Sequence, residues 1–167
     1  MSKVKELKAK ILEAQKNADI AAMYILQEEA HETFDEENLS GFFANILDLA
    51  LENLTNTLES CSKLNVNDVQ DFATLRALYE YAMEHYHAGA SKDASALYEV
   101  LAGITDDAEF SLSLKYHYIA AEKGISLEDF MDEYADMQMT QANKTFYISC
   151  FKKRAQSLLD IKKSTAE

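Results

Sequence analysis

Two Glu-x-x-His pairs, Glu28 with His31 and Glu84 with His87, are the residues of this chain whose types and spacing come nearest to a reaction centre. Residues three apart share one face of a helix. In di-iron carboxylate bundles two helices each turn such a pair inward, and two others each donate a lone Glu. Glu52 offers one lone carboxylate. Glu6 and Glu13 do not supply the other, because their helix lies too close in sequence to that of Glu28 to face it across a full-length bundle. At 100° per residue, Glu84 and His87 fall on the same polar arc as Arg76 and Glu80, away from the apolar side of their helix. Both pairs therefore read as solvated surface residues, and no metal centre or cofactor is expected.

The remaining candidates for chemistry fail on spacing. His85 and His87 are two apart and cannot chelate one ion from one helical face. His117, between Tyr116 and Tyr118, has no carboxylate four residues away to make it a base and reads as a half-buried ring with satisfied nitrogens. Cys61 and Cys150 have neither a His at helical spacing nor a CxxC partner, so they read as small apolar residues in a reducing compartment. There is no glycine-rich phosphate loop and no GxSxG elbow. The chain is expected to be non-enzymatic, with no catalytic residue.

With 167 residues, 48% hydrophobic and 27% charged, it is long enough to bury a core without staples and is expected to form a single helical domain over 1–167. It has no proline and only four glycines, so long helices joined by tight turns are possible and an all-α fold is predicted. The formal net charge of -13 opposes binding to nucleic acid and to anionic membranes. No apolar run suits a membrane span, and the N-terminus lacks the apolar core of a signal peptide, so a cytoplasmic protein is expected.

The spacing predicts a multi-helix bundle of about eight helices, organised around an amphipathic hairpin at 68 to 103. Its first arm begins at the N-cap Asp68 and stops at Gly89; Gly103 closes the second arm in the same way. Phe72, Leu75, Tyr79, Met83 and Tyr86 form a core face, and Leu78, Tyr81 and His85 extend it beyond a half-turn. A helix that is apolar over so wide an arc should be central. Leu78, Tyr81 and His85 are then the candidate protein-binding residues, covered either by this chain or by a partner.

Around the hairpin, helices are predicted from Ser2 to Lys16, Asp19 to Glu36, Ser40 to Ser60, Asp106 to Lys123 with Gly124 as its stop, Leu127 to Met137, and Gln141 to Lys163. The run DEEN at 35 to 38 reads as a break. The third helix carries the stripe Phe43, Ile46, Leu47, Ala50, Leu54 and Leu58, and the last places Tyr147, Cys150, Phe151, Ala155 and Leu158 on one face. Leu64 and Val66 should tuck onto the bundle. Nine tyrosines, eight phenylalanines and six methionines suggest an adaptable binding surface in addition to a core.

The segment LRALYEYAMEHYHAGASKDASALYEVLAGI, 75 to 104, resembles the late helices of the flagellin export chaperone FliS, and ILDLALENLTNTLES, 46 to 60, is similar to the amphipathic helix before them. FliS is shorter, so the extra helices at both ends resemble more closely the larger helical co-chaperones that bind FliS. The stretch LYEYAMEHYHAGASKDASALYEVL also resembles the first helical pair of the class II translocator chaperones of virulence type III secretion, the LcrH, SycD and IpgC group, and RAQSLLDIKK at 154 to 163 is similar to their closing helix. Both resemblances imply a chaperone of type III export whose partner is FliS, flagellin or another export substrate, held in an apolar helical surface. From another class, a structural or regulatory homodimer would cover the same arc with a second copy.

Overall fold

The computed structural model describes residues 2–160. It is all-α, as the missing prolines and the helical periodicity predict, and it divides into two compact units, one ending at Ala77 and the other beginning at Leu78.

In the first unit, α1 (Lys3–Lys16) is capped by the Ser2 hydroxyl, which accepts from Lys5 N, and buries Leu7, Ile11 and Ala14. The polar patch after Lys16 is a turn. Asp19 N donates to Ala14 O at 2.8 Å and Ala18 N to Gln15 O at 3.0 Å, with Ala18 left-handed at φ 51°. This is the Schellman ending, made without glycine. Asp19 then caps α2 (Ile20–Ile25), accepting from Ala22 N. The Gln70 side chain completes that cap: its oxygen accepts from Ile20 N at 3.0 Å and its nitrogen donates to Asp19. The bond from Gln70, followed by that from Ala22 N, holds the Asp19 carboxyl below its ordinary range.

The predicted helix from Asp19 to Glu36 is two helices, α2 and α3 (Gln27–Thr33), broken at Leu26. The break expected at the DEEN run falls at Phe34 and Asp35, and the rest of the run already belongs to the next helix. Asp35 accepts from Asn38 N at 2.8 Å and caps α4 (Glu36–Glu59), so the helix begins before Ser40. Two glutamates in its first turn suit the positive end of the helix dipole. The buried stripe of α4 is Phe42, Ile46, Ala50 and Thr57, one residue displaced at its start from the predicted one, and Leu58 is exposed. α4 ends in a second Schellman turn with a left-handed Cys61 at φ 54°. In the connection that follows, Leu64 is buried, as its apolar character predicts.

Asp68 accepts from the backbone of Gln70 and Asp71 and starts α5 (Val69–His87), whose first half belongs to the first unit and whose second half belongs to the second. From Ala73 to Tyr79 every residue except Arg76 is buried, nearly encircling the helix as its wide apolar arc predicts. Phe72, expected in the core, is exposed. Gly89 closes the helix in the left-handed region, with Ala90 N bonding His85 O and Gly89 N bonding Tyr86 O.

In the second unit, α6 (Ser91–Ile104) runs through Gly103, which has ordinary helical geometry and does not stop it. Its Ser95 hydroxyl donates to Tyr118 O on α7 (Ala108–Glu122), which Asp107 caps and Gly124 closes. α7 is the most enclosed helix of this unit, with Phe110, Ser113, Leu114, His117, Ile119, Ala120 and Ala121 buried.

The predicted helix 127 to 137 is shorter and interrupted. Ser126 caps a single turn, α8 (Leu127–Asp129), which widens into the π-helical turn Phe130–Tyr134 before the chain extends through Ala135. α9 (Met137–Asn143) ends at a left-handed Lys144. No helix bridges Gln141 to Lys163. Residues 145–152 are a non-helical strap, bent at Phe146 and Tyr147 and pinned to the π turn by Asp136 N to Cys150 O and Lys152 N to Tyr134 O, both 2.8 Å, and to α9 by Thr140 Oγ1, which accepts from Ser149 N and Cys150 N. Aromatic and β-branched residues that mimic a helical face over this stretch favour extended backbone instead. A short 3-10 turn (Lys153–Ala155) leads to helical residues 156–160; Lys162 and Lys163 of the predicted helix lie outside the described residues.

Glycine and non-glycine versions of one helix ending make opposite predictions. Gly89 has nothing within 4 Å of an added Cβ, so Gly89→Ala meets only the left-handed backbone and should lose about 1 kcal/mol. Ala18→Gly should move thermal unfolding the other way, upward, by a gain of about 0.5–1 kcal/mol.

Candidate functional site

The two Glu-x-x-His pairs are not assembled into a centre. Glu28, His31, Glu52, Glu84 and His87 are all exposed, and no group of three His, Cys, Asp or Glu that could hold a metal occurs among the described residues. Cys61 is exposed and Cys150 half-buried, both as free thiols. No helix of the described residues is long and apolar enough to cross a membrane.

Of the three candidate binding residues, Leu78 is 1% exposed and is covered within the chain itself. Tyr81 and His85 remain half-buried on the flank of α5, one turn apart, with ring centroids 4.6 Å apart in an edge-to-face arrangement. Of the three residues that sequence periodicity offered, Tyr81 and His85 are therefore partly accessible, and Leu78 belongs to the core.

Part of the aromatic surplus is also core. Tyr79, Tyr86, Tyr98, Phe110 and Phe130 are buried, and their rings meet edge-on or tilted around His117. Edge-to-face contact suits the aromatic quadrupole and adds to the apolar area each ring removes from water. Burial pushes the Tyr79, Tyr86 and Tyr98 hydroxyls up, so all three stay protonated donors. Tyr86 donates to Ile125 O at 2.6 Å and Tyr98 to the Met83 sulfur at 2.9 Å.

His117 is wholly buried, not half-buried, and its polar atoms are fully assigned. Nδ1 lies 2.6 Å from Ser113 O, and since a carbonyl only accepts, Nδ1 carries the proton. Nε2, 2.7 Å from the Tyr79 hydroxyl, therefore accepts from it in the neutral ring, and the Tyr79 oxygen in turn accepts from Ile148 N at 3.0 Å. The Tyr79–His117 network thus ties α5, α7 and the strap together. Neither a nucleophile nor an ionised carboxylate stands in this network, so it has the composition of a structural polar core. Desolvation lowers the His117 pKa from 6.5 to about 4, against the small opposing effect of the Ser113 bond.

No protein-family model matches the chain, and no curated protein or solved structure matches it either.

Because His117 is held neutral in the folded state, the unfolded chain binds the extra proton between the two pKa values. Its contribution is complete above pH 6.5 and is lost as pH falls toward 4, a span worth about 3 kcal/mol. Denaturation midpoints measured from pH 7 to 4 should show this slope, and His117→Gln should flatten it. Tyr79→Phe strands both the His117 nitrogen and the Ile148 amide, and should cost about 3 kcal/mol at pH 7.

Proposed function

We propose that the protein is a non-enzymatic chaperone or co-chaperone of flagellar or other type III export, acting by binding FliS or an export substrate through an apolar helical surface. The reading rests on the resemblance of residues 75 to 104 to the late FliS helices. The observation that carries it furthest is the Tyr81–His85 pair, left half-exposed on the flank of a helix whose apolar face is buried. Tyr is favoured at such positions because it presents a large rigid ring with a polar edge at small entropic cost.

In this role the protein offers the apolar face of a partner's amphipathic segment a complementary surface, keeping it from aggregation until export. No nucleotide enters the cycle. The net charge of -13 speeds encounter with a basic partner and makes the rate of association fall with added salt.

Isothermal calorimetry of the purified protein against FliS and against flagellin should give micromolar binding to at least one, weakened about tenfold by Tyr81→Ala. No heat with either partner would count against the reading. A stable dimer in sedimentation that buries Tyr81 would favour the homodimeric module.

A further inference from the structure

A concavity of about 330 Å³ opens in the second unit between α7 and the strap. Glu109, Leu112, Ser113 and Tyr116 are one stripe of α7, at helical spacing. Across from them Thr145, Tyr147, Ser149 and Phe151 come from the strap, whose bend at Phe146 and Tyr147 brings the Thr145 hydroxyl to 2.8 Å from that of Ser149.

Among the described residues that line the concavity there is no Lys, Arg or His. Acceptors are plentiful. Glu109 offers a carboxylate, and Asn143, whose side-chain nitrogen donates to the Cys150 sulfur, has its oxygen left to accept. Thr145 can spend its proton within the strap, on Tyr147 O at 2.7 Å or on the Ser149 hydroxyl at 2.8 Å. The flat surfaces are aromatic: Tyr116 and Phe151 lie ring to ring at 4.4 Å and 31°, and Tyr147 is braced from behind by Phe110 at 4.5 Å. Burial, followed by the nearby Asp107 and Glu109 carboxylates, raises the Tyr147 hydroxyl to about 12.

An acceptor-rich hollow with aromatic walls and a carboxylate at its edge suits a ligand that only donates and carries positive charge on an apolar stem. We propose that this groove is a binding site for a guanidinium or alkylammonium group, with Glu109 pairing the charge and Tyr116, Tyr147 and Phe151 supplying ring surfaces. The group could be borne by a free small molecule or by an Arg or Lys side chain of a partner protein. The site rests on its own geometry, and failure of FliS or flagellin to bind leaves it standing.

The test titrates the ¹⁵N-labelled full chain with N-acetyl-arginine amide, with the uncharged citrulline analogue, and with a short apolar peptide carrying one central Arg. Shifts of the Tyr116, Ser149 and Phe151 amides with the arginine compound, absent with citrulline, are expected. Response to the free compound points to a small-molecule cation, and response to the peptide alone points to a partner's side chain. Glu109→Gln should weaken binding about fivefold and Tyr116→Leu about threefold, with thermal unfolding confirming that both variants are folded. Equal response to citrulline, no response to either cation, or unchanged affinity in both variants would overturn the proposal.

Discussion

The second unit depends on one buried hydrogen bond, from the Tyr79 hydroxyl to His117 Nε2. Each of its atoms has a second obligation: His117 Nδ1 donates to Ser113 O, and the Tyr79 oxygen receives the Ile148 amide. In a low-dielectric interior such a chain is stabilising only when every member is satisfied. No buried side-chain nitrogen or oxygen lacks a partner among the described residues, so the condition is met. Protonating His117 would give the Tyr79 oxygen two donors and leave its own proton without an acceptor. That is the physical reason a neutral ring is built into this core.

The same bond explains the strap. A helix through 145–152 would satisfy its own backbone, whereas an extended chain must find partners elsewhere. It finds them in the Tyr79 hydroxyl, in Thr140 Oγ1 and in the backbone of Tyr134 and Asp136. Phe146 and Tyr147 then pack against Phe110, and Phe151 against Tyr116. Tyr147 and Phe151, packed in this way, also line the concavity beside α7, together with Thr145 and Ser149.

Much of this was legible in the sequence, and the reasons differ by element. The wide apolar arc of α5 announced an enclosed helix, and Asp68, Asp107, Gly89 and Gly124 marked helix ends for reasons of hydrogen bonding and backbone freedom. Glycine misled once. Gly103 sits inside α6, while Ala18 and Cys61 take the left-handed position that the glycine rule reserves for another residue. The break at Leu26 leaves no local mark. The strap carried no distinct signal, because the apolar run Phe146, Tyr147, Ile148, Cys150 and Phe151 suits a helical face as well as a non-helical buried chain. The candidate binding arc was legible only as an excess: periodicity could not say that Leu78 would be covered while Tyr81 and His85 stayed half-exposed, because that depends on helices distant in sequence.

What remains at the surface of this acidic helical protein is the half-buried Tyr81–His85 pair on α5. The protein's frame rests on the protonation of a single ring, which ¹⁵N and ¹³C chemical shifts of the His117 imidazole report directly. The account predicts one tautomer, protonated at Nδ1 and unprotonated at Nε2, unchanged from pH 8 to pH 5.5. An Nε2–H tautomer, or a ring that titrates near 6.5, would contradict it.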